Sequence, residues 1–134
     1  TGAKADISWG EISAERYPNR PMCQAFKDNM EILGIEMKWP DPKAQYGSSD
    51  IGNVSIKIPA IHDYLSITDD KTIQAHTKEY ADAAKSEEAQ EICLKGAKGL
   101  AMTGYDILSS DEFQAEIRRF HEQQIPDFYK KKKS

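Results

Sequence analysis

The residues from Ser86 to Leu108 restrict this chain more than any other stretch. Ala89, Ile92, Cys93, Gly96, Ala97, Leu100, Ala101, Gly104, Ile107 and Leu108 recur at i, i+3, i+4 and i+7, the pattern of a long amphipathic helix. Ser86 stands where an N-cap belongs. The face is small-sided, built from alanine, glycine and cysteine. Gly96, Gly99 and Gly104 each cost about 1 kcal/mol of helix propensity relative to alanine, so close packing must compensate. The neighbour expected against such a face is a sheet. Glu87 and Glu88 fall in the first turn, where carboxylates suit the positive end of the helix dipole.

Two further helices are written around it. Asn19 or Arg20 leads into a helix with Pro21 in its first turn, where the missing N–H costs nothing. Met22, Phe26, Met30 and Leu33 share one face, and Gly34 is placed to end it. Downstream, Ser109 or Ser110 caps a last helix with Phe113, Ile117 and Phe120 facing inward. The chain is expected to fray after Ile125-Pro126. Four segments read instead as strands: Ala5, Ile7 and Trp9 alternate, with Ile12 nearly in step; Ile35, Met37 and Trp39 alternate; so do Val54, Ile56 and Ile58; and Tyr64, Leu65 and Ile67 suggest a further short one. The predicted order β, α, β, loop, β, β, loop, α, α describes an α/β fold, a sheet with helices over its face.

Composition excludes several classes of function. The 134 residues are 30% charged and 39% hydrophobic, a balance that reads as soluble and globular. They suffice for one domain with a core. The net charge of −4 supplies no general basic field for nucleic acid. No apolar run approaches the roughly 18 residues that span a bilayer. Lys130 to Lys133 read as a frayed, solvated tail. Cys23 and Cys93 lie far apart inside helical patterns and read as buried thiols, which fits a reducing, cytoplasmic setting. Thr1 to Asp6 hold neither a signal-peptide core nor a start methionine, so the chain is expected to be cut from something longer.

The chemistry-bearing stretch runs from Gly47 to Tyr80. It opens with Gly47-Ser48-Ser49-Asp50-Ile51-Gly52-Asn53-Val54-Ser55, passes through Ile58-Pro59-Ala60-Ile61-His62, and closes with His76-Thr77-Lys78-Glu79-Tyr80. Small residues let a backbone approach a ligand closely. A histidine just before a helix is placed to hold a metal or a substrate group. Together with Ala83-Ala84, Ser86, Ala89 and Leu100-Ala101-Met102-Thr103, these ordered motifs resemble the zinc-dependent aminoacylase and carboxypeptidase family, peptidase family M-twenty. Its aminobenzoyl-glutamate hydrolase-like branch of dipeptidases and amidohydrolases is the nearest in pattern.

The resemblance implies a catalytic α/β domain interrupted by a smaller lid domain that is often used for homodimerisation. Residues 1–16 would be the last lid strand and the crossover. Residues 17–129 would be the C-terminal part of the catalytic domain, and 130–134 the tail. It implies a partner in the missing N-terminal half, and small dipeptides or N-acyl or aminobenzoyl amino acids as substrates. It implies two divalent ions in the intact enzyme, zinc or else manganese or cobalt, that polarise the amide carbonyl and acidify a water. An upstream glutamate would be the general base. His76 would be a metal ligand, since neutral imidazole suits Zn²⁺, and Ser48, Ser49 and Asp50 would face the substrate. His62 is expected to be structural or at a rim, and His121 solvated. The family's His-x-Asp motif and catalytic glutamate pair are absent from these residues, so this chain alone is not expected to hydrolyse anything. The alternative is a non-catalytic binding or interaction module that retains part of the fold.

Overall fold

The computed structural model describes residues 2–10, 13–41, 47 and 49–130. It contains α1 (Arg20–Ile32), α2 (Ile51–Ser55), α3 (Lys78–Ala83), α4 (Glu87–Ser109), α5 (Asp111–Gln124) and α6 (Asp127–Lys130). The core is helix on helix: α1 packs along α4, and α5 packs against both.

The helix ends follow local chemistry. Asn19, Ser86 and Ser110 each accept a hydrogen bond from a backbone N–H of the first turn of α1, α4 and α5, with Met22, Ala89 and Phe113 as donors. At the end of α1, Gly34 adopts φ +78°. Its N–H donates to the Glu31 carbonyl at 3.0 Å, and the Ile35 N–H donates to the Met30 carbonyl at 2.9 Å. This paired closure satisfies carbonyls that the helix leaves open, and its left-handed residue favours glycine.

Only part of the expected face of α4 is covered, and by a helix and a loop rather than a sheet: Ala89 and Gly96 are buried together with Gly99 and Thr103, whereas Cys93, Ala97, Leu100, Ala101 and Leu108 are exposed. Phe26 and Met30 of α1 occupy the space that a side chain at Gly99 would fill, and Leu65 does so at Gly96. Met30 is fully buried. Beside it, Asn29 Nδ2 donates to Thr103 Oγ1 at 3.1 Å and to Asp106 Oδ2 at 2.7 Å. This buried polar link fixes the register of α1 on α4, because shifting it would strand the groups it satisfies.

The four expected strands are corrected. Among the described residues there is no β-strand, only one isolated parallel bridge between Pro18 and Ala60. Residues 54 and 55 instead end α2, and 56–58 follow as a turn: the Asn53 N–H donates to Asp50 O, Ile56 N–H to Gly52 O, and Ile58 N–H to Val54 O. The reason is tertiary. Ser55 Oγ receives the Tyr17 N–H at 3.0 Å and Asn53 Oδ1 receives the Ala14 N–H at 2.6 Å, so α2 holds the 14–17 backbone by side chains. Ile12, placed in the first expected strand, lies outside the described residues. The α/β expectation is therefore reduced to its helices. Alternation equips a strand with two faces, but a ladder also needs a neighbouring strand.

Asn19 knots the layers together. It is fully buried. Its N–H donates to Ala60 O at 2.9 Å, and its Nδ2 donates to Ile117 O of α5 at 3.0 Å. His121, expected to be solvated, is half-buried and its Nε2 lies 2.8 Å from Ser55 O. A carbonyl only accepts, so Nε2 carries the proton there. No helix among the described residues is long and apolar enough to cross a membrane.

Candidate functional site

The segment from Ala60 to Leu65 crosses the start of α1, and its alternation sets the site. His62 and Tyr64 point outward and are exposed, while Ile61, Asp63 and Leu65 are partly covered. An acid therefore occupies an apolar phase. Asp63 Oδ2 is shielded from solvent and has no hydrogen-bond partner among the described residues. Buried oxygens of this kind are few in native proteins and call for an explanation.

Asp63 lines a cleft of about 440 Å³, inside the ~300–1,000 Å³ range of small-ligand sites. α1 contributes Cys23 and Lys27, the 35–40 segment contributes Met37, Lys38 and Trp39, and residues 16–18 and α2 close the remaining sides. The rim is tied in place. Arg16 Nη1 donates to Tyr64 Oη at 3.0 Å. The rings of His62 and Tyr64 stack at 4.9 Å. The Arg20 guanidinium sits 4.9 Å from the centre of the Trp39 ring, a cation–π contact that fixes the indole at the mouth. Lys27 is paired with Glu31 one turn on.

Burial dominates the electrostatics. It pushes the Asp63 carboxyl above its ordinary value, and the nearby His62 pulls it partly back. Burial, followed by the negative charge of Asp63, pushes the Cys23 thiol up to about 12. Both cysteines are free; Cys23 is buried, and Cys93, expected to be buried, is exposed. At pH 8 an aromatic disulfide reagent is expected to titrate one thiol rapidly, Cys93, and the second only on unfolding; two equally fast thiols would contradict the buried, protonated Cys23. The folded chain retains a Cys23 proton that the unfolded chain releases near 9. The stability this group contributes is thus intact below pH 9 and declines as pH climbs toward about 12.

The residues singled out in the sequence lie elsewhere. None of His76, Ser49 and Asp50 lines the cleft. Ser48 lies outside the described residues. Ser49 is half-buried, and its Oγ accepts the Ile51 N–H at 3.3 Å. Asp50 is exposed at the start of α2, with no capping bond from its side chain. His76 is exposed and has φ +67°, the one left-handed non-glycine residue among those described. Thr77 secures this turn: its hydroxyl donates to Gln74 O at 2.7 Å and accepts the Tyr80 N–H at 3.1 Å, capping α3. Among the described residues no three His, Cys, Asp or Glu side chains gather to hold a metal ion. The two-metal centre implied by the resemblance is therefore not assembled by the described residues alone.

Sequence reasoning passed over Asp63. Its signal was present as a charge in step with Ile61, Leu65 and Ile67, where an apolar residue was due.

Compared with known proteins, the chain is similar to part of a class of hydrolases, the dipeptidases. It is 37% identical over 125 residues to the Xaa-Arg dipeptidase of Mus musculus, covering 89% of this chain and 28% of that protein. It is 40% identical over 103 residues to the Xaa-Arg dipeptidase of Homo sapiens, covering 75% of this chain and 23% of that protein. The chain thus spans about a quarter of the length of the curated relatives it matches. No family model and no solved structure matches it.

Proposed function

We propose that this chain is one segment of a metal-dependent dipeptidase or amidohydrolase of peptidase family M-twenty, in its aminobenzoyl-glutamate hydrolase-like branch. The identity with a dipeptidase over 125 residues carries the reading. The intact enzyme cleaves the amide bond of small dipeptides, those with a basic C-terminal residue first, as the relatives' names suggest. It works in the cytoplasm and as a homodimer through its lid. The segment acts together with polypeptide of the remaining length. Exposed apolar side chains on α4 support that: Leu94, Tyr105 and Leu108 are 57%, 71% and 81% exposed, a face suited to burial under further chain.

In this reading His76 donates one imidazole to a divalent-metal site whose other donors lie outside this chain. Its strained left-handed backbone, pinned by Thr77, supports a functional turn, since such conformations persist where surroundings enforce them. Ser48, Ser49 and Asp50 face the substrate.

A chimera tests the reading: this chain replaces the matched region of the mouse Xaa-Arg dipeptidase, and hydrolysis of glycyl-L-arginine is followed. Hydrolysis is expected, with His76→Ala lowering it by at least about 100-fold. A folded but inert chimera contradicts the dipeptidase reading. Undiminished activity in His76→Ala removes that residue from the metal site.

A further inference from the structure

Resting on the dipeptidase reading, we infer that the cleft between α1, α2 and the 60–64 segment seats the basic C-terminal residue of the substrate, with Asp63 as the specificity-determining acceptor of its cationic side chain. The fold leaves one oxygen of this carboxyl group without a donor among the described residues. A carboxylate set between Ile61 and Leu65, with Oδ2 shielded and unbonded, does nothing for the chain by itself. Asp63 is only half-buried and lines the cleft, so a guanidinium or ammonium group entering there meets the open side of the carboxyl group and supplies the opposite charge that the fold does not.

The rest of the cleft complements such a residue. Met37 and Trp39 offer apolar surface for the methylene stem of arginine or lysine. Arg16 and Lys38 line the same cleft and bear the charge a free C-terminal carboxylate requires. One half-buried acid among peripheral cations suits a zwitterionic ligand, negative at one end and positive at the other. A neutral side chain of the same shape would leave Asp63 unpaired, and rejection of that kind is more effective than a steric one.

The test uses the whole 134-residue chain and two probes of equal shape, glycyl-L-arginine and glycyl-L-citrulline, titrated while backbone amide shifts are recorded. The arginine dipeptide is expected to bind about tenfold tighter or more, with shifts centred on Cys23, Asp63 and Tyr64. Asp63→Asn is expected to abolish the difference, and Asp63→Glu to retain part of it. Equal binding of the two probes, binding of neither, or a preference that survives Asp63→Asn overturns the inference. The comparison of probes is made on the unaltered chain, so it stands whether or not the variants fold. The two levels of reading separate cleanly. A chimera that hydrolyses both dipeptides equally well keeps the dipeptidase and removes this role of Asp63. A chain that binds the arginine dipeptide through Asp63 while the chimera is inert keeps the cleft and removes the dipeptidase.

Discussion

Met30→Ala is expected to lower the unfolding free energy by about 3–5 kcal/mol, the upper part of the range for buried methionine truncations. Met30 has no exposed surface, and it fills the gap where α4 presents Gly99 instead of a side chain. The cost of a cavity depends on how far its walls can close. Here they are held apart. Asn29, one residue away, is bonded to Thr103 and Asp106 of α4. Asn19 anchors the start of α1 to α5 and to Ala60. The denaturant midpoint measures the loss, with an unchanged slope marking it as one of stability. Ile32→Ala on the same helix is the control: Ile32 is 74% exposed and should change stability by no more than about 0.5 kcal/mol. Similar losses for the two would mean that α1 does not pack as described.

Gly52→Ala is expected to destabilise by about 2–4 kcal/mol, against the roughly 1 kcal/mol gain that helix propensity alone assigns to such a change. An added Cβ would lie 2.8 Å from the Ala14 carbonyl carbon, closer still to its oxygen, and 3.1 Å from the Glu15 oxygen. These are backbone atoms, so relief requires the 14–17 segment to move. Movement breaks the bonds from Ala14 N–H to Asn53 and from Tyr17 N–H to Ser55. Gly104→Ala supplies the opposite sign. Among the described residues nothing beyond the helix's own adjacent backbone lies within 4 Å of a Cβ there, and α4 should gain up to about 1 kcal/mol. Thermal unfolding of the two variants side by side checks the contrast. Stabilisation by both would show that the close approach at Gly52 is absent.

The same contrast separates what was legible from what was not. Local spacing determined α1, α4 and α5 with their caps, because a capping side chain and the N–H it accepts lie within three residues of each other. The small face of α4 announced a close neighbour but not which one. A helix and a sheet can both fill that space, and the choice was made by residues 69 to 73 positions distant, Phe26 and Met30 against Gly99. Residues 54–58 carry a strand's alternation, yet the bonds from residues 14 and 17 to Asn53 and Ser55 hold the end of α2 there, followed by a turn.

By itself, then, the sequence determined the main helices, their ends and the likeness to a dipeptidase, all of which rest on near neighbours or on matching strings of residues. The tertiary structure decided that no described segment pairs into a sheet, and that Asp63 and Cys23 meet in one cleft with Arg16 and Trp39. Strand ladders and clefts are made between distant parts of a chain. A charge out of phase at Asp63 hinted that something would need to meet it, and only the folded chain placed the cleft there.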